Sequence, residues 1–264
     1  MTHSGPINIR MLGILRVRRA DGSDVLSDEW RTSKTRDLLR LLALADAQPV
    51  RVSSLLEKLW PDATDHASRN RLRTAASQIR RTLRDPTCLV RESDSLRLQH
   101  VTVDVTTFRA MAQRAHLASR IGASSEVLDS ARTAQLLYGG DFHADDDDSD
   151  WAVEERSHLR KFHQDLLCDA AVAALDLGLF REARDLASRT VQLDPTSETA
   201  HRALMQSHAE LGEVATALRV FETYRTHLAE ELGVDPSPQT LDLHLRLLRG
   251  FTHDAATAAT AVRR

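Results

Sequence analysis

The sequence has 264 residues, of which 42% are apolar, 4% are aromatic and two are cysteines. This length can form one large domain or two ordinary ones. The cysteines, Cys88 and Cys168, have no C-x-x-C spacing, which argues against a disulfide framework or a zinc site. No apolar run approaches the roughly 18 residues of a membrane span, and no signal peptide is visible. The sequence therefore predicts a reduced, cytoplasmic protein that does not contact a membrane.

The overall net charge of −3 hides an asymmetry between the two parts of the chain. Residues 1–100 carry 18 Lys and Arg against 12 Asp and Glu, whereas the remainder carries 17 against 26. A basic part joined to an acidic part indicates two domains with different partners. We place the first domain at 1–100 and the second at 101–250, and we expect a disordered Ala/Thr-rich tail at 251–264.

In chain order, residues 7–19 alternate between apolar and polar and predict two short strands, with a third near Val25–Leu26. Ser33 is the expected N-cap of a leucine-rich helix that ends near Asp46. Lys34 and Arg36 lie in its first turn, where the helix dipole disfavours cations. Either a phosphate binds near these two residues, or they are ordinary exposed basic side chains.

A second helix follows from Ser53 to Trp60, and a third spans Ala67–Asp85. Between Ala67 and Arg84 this third helix carries six arginines and no acidic residue. Apolar residues at helical spacing form one side of it: Leu72, Ala75, Ala76, Ile79 and Leu83. The opposite side carries polar and basic residues: Asn70, Arg73, Thr74, Ser77, Arg81 and Arg84.

A basic helix face that no acid offsets is typical of a polyanion-binding surface. The central residues are candidates to read base edges in DNA: Asn70, Arg73, Thr74, Ser77 and Arg81. The bordering cations are candidates to hold phosphates: Arg69, Arg80 and Arg84, with Lys34, Arg36 and Arg97 as weaker ones. The alternative is a solvated basic face that docks an acidic protein surface.

Two short apolar runs, 88–90 and 96–98, flank a polar turn and predict a β-hairpin. Three helices with a basic third one, followed by a hairpin, describe a winged helix-turn-helix, in which the third helix enters the major groove. Asp94 at the hairpin tip is expected to repel phosphate, which leaves Arg91 or Arg97 as the wing contact.

Beyond Val103 every long stretch has helical spacing. Leu177-Gly178 recurs as Leu211-Gly212, and Ala183 recurs as Ala217, both after 34 residues. This is the tetratricopeptide period, with a small residue where paired helices cross. Coincidence between alanine-rich helices is the alternative. The fold class predicted for the whole chain is mainly α: a winged helix-turn-helix of α+β type followed by an all-α tetratricopeptide-like bundle.

Several segments in this order resemble the SARP family, the Streptomyces antibiotic regulatory proteins. They read K-T-R-D-L-L-R-L-L-A-L (34–44), V-S-S-L-L-E-K-L-W (52–60), S-R-N-R-L-R-T-A-A-S-Q-I-R-R-T-L (68–83), V-D-V-T-T-F (103–108), D-S-D-W-A (148–152) and L-A-E-E-L-G-V-D-P-S-P (228–238). The resemblance implies an OmpR-type winged helix and a bacterial transcriptional activation domain. Family members commonly carry Gly-Tyr before the last wing strand, where this chain has Ser93-Asp94-Ser95.

The resemblance also implies a function: activation of a secondary-metabolite (antibiotic) gene cluster. Two copies are expected on tandem direct repeats of double-stranded DNA overlapping the promoter −35 region, recruiting RNA polymerase through sigma factor region 4 and the alpha C-terminal domain. The loop before the third helix supplies the candidate polymerase contacts: Pro61, Asp62, Thr64, Asp65 and His66. A repeat-domain adaptor with a non-functional winged helix is the alternative.

An enzyme is the remaining alternative. The acidic run Asp145–Asp150 lacks the glycine and distal glutamate of a calcium loop, so a solvated loop is expected. The histidine pairs His158/His163 and His201/His208 have no glutamate at zincin spacing. No phosphate-binding loop or hydrolase elbow is present. We therefore predict no metal, no cofactor and no catalytic residue.

Overall fold

The computed structural model describes residues 5–143 and 149–261, and most of these residues are helical. The strands in chain order are β1 (Ile7–Arg10), β2 (Arg16–Arg18), β3 (Val50–Arg51), β4 (Leu89–Glu92), β5 (Ser95–Leu98) and β6 (Val101–Val103). The helices are α1 (Ser33–Leu44), α2 (Val52–Leu59), α3 (Asp65–Leu83), α4 (Asp104–Arg120), α5 (Ser124–Leu137), α6 (Asp150–Asp176), α7 (Phe180–Leu193), α8 (Glu198–Glu210), α9 (Val214–Glu231) and α10 (Pro238–Ala261). The predicted fold class is thus confirmed.

The chain packs as two compact units. The first is Met1–Ala110 with Ala134–Arg160, and the second is Met111–Thr133 with Lys161–Arg264. This division differs from a single boundary near residue 100, because a segment from the second half of the sequence belongs to the first unit.

The first unit begins with a three-stranded sheet in the order β2-β1-β6, in which β1 pairs antiparallel with β2 and parallel with β6. Ile7 and Ile9 of β1 are fully buried, as the two-residue period of a strand requires. The first two predicted strands are confirmed. The third, near Val25–Leu26, is wrong: Asp24 forms an isolated bridge with Arg18, and the N–H of Val25 donates a 2.8 Å hydrogen bond to the carbonyl oxygen of Val17, but no strand forms there.

Three helices follow and bury their apolar sides together. Thr32, rather than the predicted Ser33, caps α1, because its side-chain oxygen accepts a hydrogen bond from the N–H of Thr35. Helix α2 begins at Val52, one residue before the predicted cap Ser53. The core of these helices contains Leu38, Leu39, Leu42, Leu55, Leu59 and Ile79.

The predicted hairpin is β4–β5, and β3 joins it as a third strand in the order β3-β5-β4. Leu89 pairs with Leu98 at the open end, and Glu92 pairs with Ser95 beside the turn. The backbone N–H of Val52 donates a 2.8 Å hydrogen bond to the carbonyl oxygen of Asp94. The main chain of the hairpin tip is therefore tied to the start of α2.

Asp104 ties the start of α4 to the end of β1. Its carboxylate accepts hydrogen bonds of 2.8–3.0 Å from the backbone N–H groups of Met11, Leu12 and Val105. Burial raises the pKa of Asp104, and the three N–H groups act against that rise. This anchor explains why the first unit continues past residue 103 into α4.

A buried polar cluster joins α1 to the segment before α6. The Nη1 atom of Arg40, the Oδ1 atom of Asp37 and the Nε2 atom of His143 lie within 3.0 Å of one another. All three side chains are at most 4% exposed. Trp151 packs edge-on against His143, with 5.6 Å between ring centroids. These contacts place His143 and Trp151 in the first unit.

The second unit contains the repeat that the sequence predicts. Helices α7 and α9 begin 34 residues apart, each two residues after a glycine with positive φ: Gly178 at 71° and Gly212 at 80°. Ala183 and Ala217 are fully buried at equivalent positions. A small residue there lets paired helices approach closely, which confirms the tetratricopeptide-like arrangement.

The last helix reaches the end of the described residues. Helix α10 continues to Ala261, so the segment expected to be disordered from residue 251 is helical over most of its length. Its alanines explain this, because alanine has the highest intrinsic helix propensity. Residues 262–264 lie outside the described residues. So do 144–148 of the predicted acidic loop, whereas Asp150 is the first residue of α6.

Candidate nucleic-acid interface

Helix α3 buries one side and exposes the other, as its spacing predicts. Leu72, Ala75, Ala76, Ile79 and Leu83 are all at most 6% exposed. The helix ends because Arg84 adopts a left-handed conformation with a φ of 55°. The backbone N–H of Asp85 then returns to the carbonyl oxygen of Arg80, a common way to close a helix.

The five predicted base readers all lie on the exposed side of α3: Asn70, Arg73, Thr74, Ser77 and Arg81. Arg73 Nη1 lies 3.4 Å from Asn70 Oδ1, a long and weak hydrogen bond. Thr74 donates to the carbonyl oxygen of Asn70 within the helix. Among the described residues, no carboxylate pairs with Arg73 or Arg81. This side of the helix thus presents donors and cations to a partner.

The three predicted phosphate-holding arginines of α3 have different surroundings. Arg69 Nη1 lies 3.6 Å from a carboxylate oxygen of Asp94 at the hairpin tip. Arg84 lies 3.7 Å from the carboxylate of Asp21. The pKa of Asp21 is lowered mainly by hydrogen bonds from Ser23, with a smaller contribution from Arg84. Both arginines are more than 40% exposed and remain accessible to an anion.

Arg80 differs from the other two. Its guanidinium donates two hydrogen bonds to the carbonyl oxygen of Leu89, at 3.1 Å from Nε and 2.7 Å from Nη2. The side chain is half-buried and joins α3 to the first residue of β4. The structure therefore gives Arg80 a structural contact, and its role as a phosphate holder stays a prediction.

The hairpin contributes two arginines. Arg97 donates to the carboxylate of Glu92 across the hairpin, at 2.6 and 2.8 Å, so its charge is locally offset. Arg91 donates at 3.3 Å to the carbonyl oxygen of Ser93. Together with three arginines of α3, Arg91 lines a cleft of about 170 Å³ between the helix and the hairpin. The four arginines that line this cleft are Arg69, Arg73, Arg80 and Arg91.

A second cleft, of about 390 Å³, lies on the other side of α3 against α1 and Trp60. Lys34 and Arg71 line it, while the predicted candidate Arg36 does not. The hydroxyl group of Thr35 donates a 2.7 Å hydrogen bond to Oε1 of Gln78, which links α1 to α3 beside this cleft. The sequence analysis did not select Arg71 as a phosphate contact, because Arg71 borders the apolar stripe of α3. Its place among the six arginines of this helix could have indicated that role.

The candidate polymerase loop is shorter than the sequence suggests. Pro61, Asp62, Thr64 and His66 are exposed, but Asp65 and His66 already belong to the first turn of α3. The carbonyl oxygen of Thr64 accepts from the N–H of Ser68 at 2.9 Å, which fixes the junction of loop and helix. His66 Nδ1 lies 3.5 Å from Asn70 Nδ2, so the loop adjoins the base-reading candidates directly.

Outside this surface, the described part of the chain contains no group of three or more His, Cys, Asp or Glu side chains placed to hold a metal ion. Across residues 5–143 and 149–261, no helix is both long and apolar enough to span a membrane. The exposed basic helix, flanked by two clefts and a hairpin, defines the first part as a winged helix-turn-helix joined to a tetratricopeptide-like helical part.

Comparison with known proteins places this architecture in a family. Residues 103–248 match the bacterial transcriptional activator domain, and the chain belongs to that family. It is 29% identical over 265 residues to the regulatory protein AfsR of Streptomyces coelicolor, covering 98% of this chain and 26% of AfsR. It is 25% identical to the transcriptional regulatory protein MoaR1 of Mycobacterium bovis, covering 96% of this chain and 83% of MoaR1. The chain thus spans about a quarter of the length of the AfsR proteins.

Among solved structures, Mycobacterium tuberculosis EmbR in complex with a low affinity phosphopeptide superposes with a TM-score of 0.79. The two are 22% identical, and the match covers 98% of this chain and 70% of that one. At this identity the likeness shows the fold. Taken with the family match, it agrees with the resemblance to the SARP regulators, and the family is confirmed.

Proposed function

We propose that the protein activates transcription by binding promoter DNA through α3, which enters the major groove. The observation that carries this proposal is the exposed side of α3. Asn70, Arg73, Thr74, Ser77 and Arg81 stand on it together, and no described carboxylate covers Arg73 or Arg81. Arg and Asn are the side chains that form bidentate contacts with guanine and adenine.

The two clefts beside α3 supply the phosphate contacts in this proposal. On the hairpin side the contacts are Arg69 and Arg91, and on the α1 side they are Lys34 and Arg71. A helix in the major groove has a phosphate backbone on each side, which matches one cleft for each strand. Arg84 at the end of α3 is a further phosphate contact, whereas Arg36 and Arg97 stay secondary candidates.

The biological context remains a proposal based on the family. Two copies bind tandem direct repeats that overlap the −35 region of a secondary-metabolite (antibiotic) cluster promoter. They recruit RNA polymerase through the sigma factor and the alpha C-terminal domain, with Pro61, Asp62, Thr64, Asp65 and His66 at the contact. The exposed position of Pro61, Asp62, Thr64 and His66 beside the base-reading candidates of α3 supports this contact.

The central test is the substitution Arg73→Ala. Duplexes selected from a randomised library by the wild-type protein give the site, and fluorescence anisotropy then compares that site with single-base variants. We expect Arg73→Ala to lose about 1–3 kcal/mol on the selected site and to relax the preference at one base position. Arg181→Ala, an exposed arginine of the second unit, is the matched control and should bind like wild type.

Two outcomes would change the proposal. An equal loss on every duplex with a shallower salt slope would make Arg73 a phosphate contact, because phosphate contacts carry no sequence information. If the library yields no enriched sequence and the wild-type protein binds no duplex at low salt, the DNA-binding role is refuted and a protein-interaction adaptor is favoured.

A further inference from the structure

The tip of the hairpin carries an acidic residue, Asp94, whose charge has the same sign as that of a DNA phosphate. Asp94 is 63% exposed, and its carboxylate lies 3.6 Å from Nη1 of Arg69 on α3. Arg69 in turn lines the hairpin-side cleft with Arg73, Arg80 and Arg91. The carboxylate therefore lies beside one of the four arginines that line this cleft.

The side chain of Asp94 is not needed to hold the hairpin tip. The tip is fixed by the main chain, through the hydrogen bond from the N–H of Val52 to the carbonyl oxygen of Asp94 and through the pairing of Glu92 with Ser95. Asparagine is as well suited as aspartate to a turn of this kind. The exposed carboxylate contributes little to folding, because water screens exposed ion pairs.

We propose that Asp94 is an intramolecular competitor for a DNA phosphate at Arg69. In the free protein its carboxylate offsets the charge of Arg69. A phosphate oxygen that binds the same guanidinium must displace that carboxylate and then remains close to its negative charge. Asp94 thereby sets the overall affinity for DNA and its salt dependence, without reading any base. This inference rests on the proposed DNA-binding function.

The test uses the full chain and two duplexes, the selected site and a scrambled version of it, in anisotropy titrations over a range of salt concentrations. We expect Asp94→Asn to bind both duplexes about three- to tenfold more tightly at low salt, because one competing charge near the phosphate is removed. The slope of log K against log salt should steepen by about one, the value expected for one more effective phosphate contact.

Asp28→Asn is the matched control for net charge. Asp28 is exposed in the same unit, and no described residue forms a hydrogen bond or ion pair with it, so its substitution should leave both affinities near wild type. A gain for Asp28→Asn equal to that of Asp94→Asn would overturn the inference, because the effect would then come from total charge alone.

A double-mutant cycle with Arg69→Ala separates competition from plain repulsion. If Asp94 competes for Arg69, Asp94→Asn should increase DNA affinity less in the Arg69→Ala background than in the wild-type background. An undiminished gain in the Arg69→Ala background would refute competition, as would no gain in the wild-type background. If neither the wild-type protein nor Asp94→Asn binds duplex DNA or heparin, the inference and the proposed function both fail.

Discussion

The buried pair of Asp37 and Arg40 is the most informative target for a stability measurement. The two side chains are 3% and 4% exposed, and Nη1 of Arg40 donates a 3.0 Å hydrogen bond to Oδ1 of Asp37. His143 completes the cluster from the segment before α6. Asp37→Asn keeps the shape but removes the negative charge that pairs with the buried guanidinium of Arg40. Removing one partner of a buried pair typically costs about 3–5 kcal/mol.

The loss should appear in the unfolding of the first unit. All three tryptophans of the chain, Trp30, Trp60 and Trp151, belong to that unit, so fluorescence reports its unfolding selectively. At about 2–4 °C per kcal/mol, we expect the thermal midpoint seen by fluorescence to fall by about 6–20 °C. Asp24→Asn is the control: it breaks an ion pair with Arg18 in which both side chains are more than 60% exposed, and should change the midpoint little.

The same substitution should alter the response to acid. Burial acts to raise the pKa of Asp37, but the hydrogen bond from His143 and the charge of Arg40 outweigh it, so the pKa lies below the usual aspartate value. A lowered folded-state pKa gives stability that is present above about pH 4 and is lost as the pH falls further. Acid unfolding of Asp37→Asn should be shallower than that of wild type. A midpoint for Asp37→Asn no lower than that of Asp24→Asn would refute the reasoning.

Two further predictions concern α3 and the repeat. Arg80→Ala should lower the unfolding free energy of the first unit by about 1–3 kcal/mol, because the carbonyl oxygen of Leu89 loses its partner. A urea titration monitored by fluorescence measures this loss. If stability is unchanged but the variant binds all DNA sequences more weakly, Arg80 acts as a phosphate contact instead. Gly178→Ala and Gly212→Ala should each cost about 1 kcal/mol by circular dichroism, because alanine is strained at positive φ although space for its Cβ is free. Gly250→Ala, in open space on helical backbone, should be neutral or stabilising, and equal losses at all three glycines would contradict that reasoning.

The features predicted correctly from sequence are those with a local period. The apolar stripe of α3 follows from residues three and four apart, and Ile79 and Leu83 are buried as that stripe predicts. The hairpin follows from two apolar runs around a turn. The 34-residue repeat follows from Gly178 and Gly212, whose positive φ angles are a backbone requirement that only certain residues meet.

The features that sequence could not predict depend on contacts between distant residues. Arg80 looks like any exposed arginine in the helical pattern, and only the packing of β4 brings the Leu89 carbonyl oxygen to it. Asp37 and His143 are more than one hundred residues apart, so no periodicity links them. The first compact unit also contains Ala134–Arg160, which lies far along the chain from the boundary expected near residue 100. Only contacts between distant residues reveal this.

The cations around α3 divide into two groups according to what already holds them. On the hairpin side Arg69 faces Asp94, Arg80 is committed to a carbonyl oxygen, and Arg91 donates to the Ser93 carbonyl oxygen. On the α1 side no described residue offers a hydrogen bond or a carboxylate to Lys34 or Arg71. An approaching phosphate must displace protein contacts on the first side and only water on the second. In the proposed complex, phosphate contacts on the α1 side therefore form at a lower cost than those on the hairpin side.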